Sequence, residues 1–147
     1  MKKALAILLV EDDESDAELV RRALKGCNLS VASNGRQALD YLHRLGEFRE
    51  VGKPDLILLD INMPGMDGKQ LLRNIKQDED LRSIPTVMLT TSAARTDVLD
   101  CYAGGVNCYV VKPFDAHKFT DVVRQVVAFW SSVSMLPSRA ALMRAHR

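Results

Sequence analysis

Residues 55–68 read DLILLDINMPGMDG, and the first half of this segment has the composition of a buried strand. Leu56–Leu59 form an uninterrupted apolar run that ends at Asp60. Short runs of Ile, Val and Leu that do not alternate with polar residues are typical of strands buried on both faces of a parallel sheet. We therefore predict a central strand over Asp55–Asp60 that carries a carboxylate at its end.

Four further runs of this kind lie along the chain. They predict strands at Leu5–Val10, Leu29–Ala32, Thr86–Thr90 and Cys108–Val111. Segments of helical period separate the strands, and the clearest is the last, where apolar residues between 119 and 130 recur at i, i+3 and i+4. Five strand–helix units in alternation predict an α/β fold. It is a doubly wound five-stranded parallel sheet in the flavodoxin-like order 2-1-3-4-5, with helices on both faces.

Residues that favour helix starts support this division of the chain. The predicted start signals are Ser15, Asn34, Ser92 and Asp115. For the short fourth helix, Val98, Leu99 and Tyr102 are predicted to share the apolar face.

Composition limits the kind of protein this can be. The 147 residues suffice for one domain, and 47% hydrophobic with 27% charged residues is an ordinary globular balance. A net charge of +1 predicts no general attraction to nucleic acid or membrane, and no apolar run is long enough to span a bilayer. Three cysteines without metal-ligand spacing, and no signal-peptide cleavage site, predict a soluble cytoplasmic protein with reduced thiols.

Polar residues follow four of the predicted strands at the point where each strand ends. Glu11 and Asp12 follow the first, Asp60 closes the third, Thr90 the fourth, and Lys112 follows the fifth. In the predicted strand order these carboxyl ends meet at one edge of the sheet. Crowded carboxylates need a cation, and oxygen ligands without His or Cys favour Mg²⁺. The sequence therefore predicts a magnesium site at this edge.

The same residue types suit phosphoryl transfer. A carboxylate such as Asp60 can attack phosphorus, with Mg²⁺ held by Asp12 and Asp60 and by Glu11 through water. Lys112 and Thr90 would then neutralise or bond other phosphoryl oxygens. Each residue alone also has an ordinary explanation, such as a solvated strand end, a helix cap, a loop hydroxyl or a surface lysine. Their joint occurrence at successive strand ends favours the functional interpretation.

Four segments together resemble the signature segments of bacterial receiver domains. They are residues 8–13, 58–68, 89–91 and 109–114, and the resemblance extends over residues 4–129. It implies a two-component response regulator that accepts a phosphoryl group on Asp60 from a histidine kinase, and that is not an enzyme in the turnover sense. The presence of Glu11, where aspartate is commoner in this family, still allows contact with a metal-bound water.

The resemblance implies further roles for three residues. The backbone carbonyl of Asn62 would be another metal ligand. Thr90 and Tyr109 would act as a switch, in which phosphorylation draws in the Thr90 hydroxyl, rotates Tyr109 and remodels helix 4, strand 5 and helix 5. On its own, Tyr109 is equally compatible with an ordinary half-buried strand aromatic.

The end of the chain allows two interpretations. We predict a receiver domain over residues 1–130 and a tail over residues 131–147, too short for a DNA-binding output domain, with a basic, disordered end. The nearer tail either packs back on its own domain or forms a homodimer interface. The residues predicted for that interface are Phe129, Trp130, Val133 and Leu136. The insertion between helix 2 and strand 3, residues 107–109, and Phe129-Trp130 with Leu136-Pro137 resemble single-domain regulators paired with bacterial phytochromes. This resemblance favours the homodimer, through helix 4, strand 5 and helix 5, and implies a phytochrome-type kinase.

Three other functions conflict with particular residues of this chain. A pseudo-receiver that only binds and dimerises would lack Asp60 or Lys112, and both are present. A flavodoxin needs a hydroxyl- and glycine-rich phosphate loop after its first strand, where this chain has acids that would repel phosphate. A haloacid-dehalogenase-type phosphatase carries a second Asp two residues after its nucleophile, and that position here is Asn62.

Overall fold

The computed structural model describes residues 4–138, and within them the predicted alternation of strands and helices is present. The elements are β1 (Ala6–Val10), α1 (Glu14–Ala23), β2 (Asn28–Ala32), α2 (Gly35–Leu42), β3 (Leu56–Leu59), α3 (Gly68–Gln77), β4 (Thr86–Thr90), α4 (Arg95–Ala103), β5 (Cys108–Val111) and α5 (Ala116–Ala128). All strand pairs are parallel and the order is β2-β1-β3-β4-β5. The predicted fold class and strand order are confirmed.

The hydrophobic core lies in two layers, one on each face of the sheet. Successive residues of β3 alternate between them: Ile57 and Leu59 belong to one layer, and Leu56 and Leu58 to the other. All four are almost completely buried. Burying each such side chain contributes about 1.5–3 kcal/mol, which explains why this strand shows no polar alternation.

Two of the predicted helix starts are confirmed, and one is displaced. Asn34 and Asp115 are the N-caps of α2 and α5. The N-cap of α1 is Asp13 and not Ser15, because the Asp13 carboxylate accepts the backbone N–H of Asp16 at 3.0 Å. Both residue types cap well, so their positions two residues apart left the sequence ambiguous.

The fourth helix differs from its prediction at its start and on its apolar face. It begins after Ala94 without a side-chain cap, and the Ser92 hydroxyl instead donates to a carboxylate within the helix. The inward residue is Cys101, which is fully buried, whereas Leu99 and Tyr102 are 55% and 49% exposed. The helix therefore presents apolar side chains to solvent.

The first part of the tail packs on the domain. A π-helical turn, Phe129–Val133, continues α5, and Leu136 is fully buried in the core layer below it. Leu136 is predicted from the sequence to contribute to a dimer interface, and in this structure its side chain lies instead in the core of its own chain, with no exposed surface. The interface itself stays a prediction. Phe129 and Val133 remain exposed and Trp130 is half-buried. The predicted basic end continues beyond residue 138 and lies outside the described residues.

Between residues 4 and 138, no helix combines the length and the apolar character that crossing a membrane requires.

Candidate functional site

Three carboxylates meet at the carboxyl edge of the sheet. The register of β1 and β3 pairs Val10 with Leu59, so Glu11 and Asp12 leave the sheet beside Asp60. Ligand oxygens of these three residues lie within 4.8 Å of one another. Glu11 and Asp60 are only 4% and 7% exposed, whereas Asp12 faces solvent. A cluster of hard oxygen donors with one open side fits a Mg²⁺ ion that keeps some of its waters.

The loop after β3 wraps closely around Asp60. Gly68, the first residue of α3, donates its backbone N–H to the Ile61 carbonyl at 2.8 Å. A Cβ at Gly68 would lie 2.1 Å from the Asp60 carbonyl oxygen, so only glycine fits there. Asn62 lies in this loop, and its N–H donates to Asp60 Oδ1 at 3.4 Å. The role of its carbonyl as a metal ligand stays a prediction.

The ammonium group of Lys112 lies among the carboxylates of this cluster. Its Nζ lies 2.5 Å from Glu11 Oε1, 2.9 Å from Asp16 Oδ2 and 3.1 Å from Asp60 Oδ2. The Lys112 side chain is 2% exposed, and Nζ lies 5.9 Å from the centre of the Phe119 ring. Lys112 thus links β5 to β1, β3 and α1.

Asp16 is the member of this group that sequence reasoning missed. The available signal was its helical spacing: Asp16 stands four residues before Val20, which is buried on the inner side of α1. A carboxylate on the inward row of a helix needs a partner. Lys112 is that partner.

Burial and pairing shift the ionisation of the cluster. Burial raises the pKa of Glu11 from 4.5 to about 7, although the hydrogen bond from Lys112 opposes this shift. Burial acts to lower the pKa of Lys112, but its hydrogen bonds to Glu11 and Asp16 outweigh that effect and the pKa is raised. The lysine therefore stays charged and compensates the acids around it.

The two candidate switch residues contact the same loop between β4 and α4. Thr90 is fully buried, and its hydroxyl oxygen accepts the backbone N–H of Ser92 at 3.5 Å. Tyr109 is half-buried in β5, and its hydroxyl donates to the Ser92 carbonyl at 2.8 Å. Since β3 pairs with β4, Thr90 and Asp60 leave neighbouring strand ends.

A second polar network, also missed from sequence, continues from that loop to α3 and α4. The Ser92 hydroxyl donates to Asp97 at 2.5 Å, and Lys69 Nζ lies 2.7 Å from Asp97 and 2.9 Å from Asp100. Lys69 is the residue after Gly68, so the network begins next to the loop that holds Asp60. The hydrogen bond from Lys69, followed by that from Ser92, lowers the pKa of Asp97.

The fold and this constellation of residues define a class of protein. Residues 7–124 match the response regulator receiver domain family. The chain belongs to this family, whose members are the phosphoacceptor domains of two-component systems.

Individual relatives are response regulators that this chain matches over most of its length. The chain is 38% identical to the response regulator Rcp1 of Synechocystis over 90% of this chain and 92% of Rcp1. The Mn²⁺-bound crystal structure of Rcp1 matches with a TM-score of 0.84 at 39% identity, covering 89% of this chain and 97% of that one.

Two further structures carry names that associate them with phytochromes. The phosphorylated cyanobacterial phytochrome response regulator RcpA matches with a TM-score of 0.89 at 36% identity, covering 92% of this chain and 99% of that one. The bacteriophytochrome response regulator AtBRR matches with a TM-score of 0.70 at 38% identity, covering 88% and 97%.

Proposed function

We propose that this protein accepts a phosphoryl group on Asp60 from a histidine kinase, in a Mg²⁺-dependent transfer in the cytoplasm. The observation that carries the proposal is the contact of one buried ammonium group, that of Lys112, with Asp60 and Glu11 inside a carboxylate cluster that fits a divalent cation. The Mn²⁺-bound form of the relative Rcp1 supports the cation.

The chemistry follows from the positions of these groups. An oxygen of Asp60 attacks the phosphorus of a phosphohistidine, the N–P bond breaks as the P–O bond forms, and an acyl phosphate results. A bound Mg²⁺, held by Asp12, Asp60 and the carbonyl of Asn62 and by Glu11 through water, would supply positive charge to the phosphoryl oxygens. Lys112 stabilises another phosphoryl oxygen. Attack of water on phosphorus then returns the Asp60 carboxylate and inorganic phosphate, so turnover is limited to autodephosphorylation.

The test is intact mass after incubation with acetyl phosphate. Wild type is expected to gain one phosphoryl group, roughly 80 Da, only when Mg²⁺ is present. Asp60→Asn is expected to gain nothing, because an amide is a poor nucleophile. Asp55→Asn is a matched control, since Asp55 lies at the opposite end of β3 and should leave the adduct unchanged. A wild type that gains no mass, or an Asp60→Asn variant that still does, would contradict the proposal.

The output would pass through the loop after β4. A phosphoryl group on Asp60 would bond the Thr90 hydroxyl, which now accepts the N–H of Ser92. The Tyr109 hydroxyl donates to the carbonyl of Ser92, so the side chains of Thr90 and Tyr109 both bond to the backbone of Ser92. Such a loop can bias α4, β5 and α5 between two arrangements. The test is the NMR shift of α4 amides with beryllofluoride, a phosphoryl mimic, which should be lost in Thr90→Val.

A second copy of this chain is proposed to bind the surface formed by α4, β5 and the end of α5. The phosphoryl donor is proposed to be a phytochrome-type histidine kinase. Exposed apolar side chains cover α4, β5 and the end of α5, namely Leu99, Tyr102, Val111, Phe129 and Val133. Next to them, an apolar cleft of about 420 Å³ lies between the start of β5 and the end of α5. The names of the relatives RcpA and AtBRR support the kinase class.

Sedimentation separates a dimer from a monomer. Phe129→Glu is expected to dissociate the dimer, because it places a charge in an apolar interface. Leu45→Glu is the control, since Leu45 is similarly exposed, at 54%, but lies beyond the end of α2. A monomeric wild type would overturn the dimer while leaving the phosphoacceptor role intact.

A further inference from the structure

Asp16 takes part in the cluster without a role in the proposed transfer. Its Oδ2 lies 2.9 Å from Lys112 Nζ, closer than Asp60 Oδ2 at 3.1 Å. It does not belong to the group of carboxylates whose oxygens converge on a possible metal position. Its contact with Lys112 therefore needs an explanation of its own.

All three N–H donors of the Lys112 ammonium group already have carboxylate partners. An ammonium group has three N–H donors, and Nζ contacts three carboxylates. A phosphoryl group on Asp60 would add acceptor oxygens and negative charge to this site. Lys112 can bond one of those oxygens only by releasing or sharing a carboxylate that it now holds. Even where a phosphoryl oxygen takes the place of Asp60 Oδ2, Asp16 at 2.9 Å still shares the ammonium group with it, so the two compete for its positive charge.

Charge repulsion acts in the same direction. The oxygens of Asp16 and Asp60 both bond to Nζ, so their separation cannot exceed the two bonds of 2.9 and 3.1 Å laid end to end. The Lys112 side chain between them is 2% exposed and the Asp16 side chain 27% exposed, so water screens the repulsion only in part. Additional negative charge on Asp60 is therefore opposed by the Asp16 carboxylate.

We propose that Asp16 is a positioning residue that draws Lys112 away from the phosphoryl group and thereby weakens the phosphorylated state of Asp60. The inference rests on the proposed phosphorylation of Asp60 and adds no chemical step to it. A carboxylate in this place favours return of the protein to its unphosphorylated state.

The experiment compares two variants that each remove one negative charge from α1. Asp16→Asn removes the competitor, whereas Glu14→Gln removes a carboxylate that pairs with Arg21 on the exposed side of the helix. Beryllofluoride is titrated in the presence of Mg²⁺ and its binding is followed by fluorine NMR. Asp16→Asn is expected to bind about tenfold more tightly than wild type. Glu14→Gln is expected to stay within about twofold, and circular dichroism verifies that both variants fold.

Measurements at high salt distinguish competition for the buried Lys112 ammonium group from a general effect of removing one negative charge from the protein. The gain in Asp16→Asn should persist at about 0.5 M salt, where exposed charges are screened. Equal or weaker binding by Asp16→Asn, an equal gain in Glu14→Gln, or loss of the gain in salt would each overturn the inference. Failure of wild type to bind beryllofluoride would refute the phosphoacceptor role itself, and this inference with it.

Discussion

Replacement of Lys112 by methionine is expected to destabilise the metal-free protein strongly. Methionine keeps an aliphatic side chain but removes the ammonium group from three carboxylates, two of which, Glu11 and Asp60, are only 4% and 7% exposed. Removing one partner of a buried ion pair costs about 3–5 kcal/mol, because the remaining charge stays buried without compensation. With a urea slope of about 1–3 kcal/mol per molar, the unfolding midpoint should fall by about 2 M.

The stability lost in Lys112→Met should depend on pH, and the ionisation of Glu11 determines the direction of that dependence. The folded-state pKa of Glu11 is already raised from 4.5 to about 7, and the loss of Lys112 removes an interaction that lowers it. A carboxyl whose pKa is higher in the folded state takes up a proton on folding, so its favourable contribution exists at low pH and disappears as pH rises through the folded pKa. Lys112→Met is therefore expected to lose most stability near pH 8 and least near about pH 5.

The assay is urea unfolding monitored by Trp130 fluorescence at both pH values, with EDTA and with Mg²⁺. Lys118→Met is the matched control, because it removes the same charge from an exposed position on α5. Mg²⁺ should stabilise Lys112→Met more than wild type, since it replaces the missing positive charge. A loss below about 1 kcal/mol at pH 8 without Mg²⁺, or an equal loss at both pH values, would refute this reasoning.

Three further predictions follow from single contacts. Gly68→Ala should abolish the acetyl phosphate adduct on Asp60, because its Cβ would displace the Asp60 carbonyl 2.1 Å away; an adduct at the wild-type rate would contradict this. Leu136→Ala should lower the free energy of unfolding by about 2–5 kcal/mol in urea titrations, and a neutral effect would contradict the burial of the tail. Lys69→Gln should raise the pKa of Asp97 toward its usual 3.8, and NMR of the carboxyl groups measures this shift. In wild type, the stability that the Lys69–Asp97 pair contributes is lost as the pH falls through the lowered pKa of Asp97.

The sequence predicted the sheet and the acidic edge for a physical reason. Strands buried on both faces are mostly apolar, so β1 and β3, and the part of β4 between its terminal threonines, stand out from the helices around them. Parallel neighbours end at the same edge, so strand order alone brings Glu11 beside Asp60. Neither step needs knowledge of a side-chain conformation.

The remaining features depend on tertiary contacts, which hydrophobic periodicity and strand order do not determine. Asp16 and Lys69 acquire their importance from partners on other elements, at sequence separations of 96 and 31 residues. Leu136 is apolar in an apolar segment, so its pattern suits a dimer interface and the core equally well. Cys101 and Leu99 both belong to α4, and only packing decides which of them faces inward.

The buried tail has a practical consequence for labelling. Leu136 lies in the core and the Ser138 hydroxyl donates to Asp55 at 2.7 Å, at the amino end of β3. Asp60 stands at the other end of the same strand, about 16 Å away at roughly 3.3 Å per residue. A fluorophore attached at position 138 itself therefore starts from the pole of the molecule opposite Asp60. Such a label leaves the edge that carries Asp60, the proposed phosphoacceptor, unobstructed in immobilised or fluorescence-based measurements.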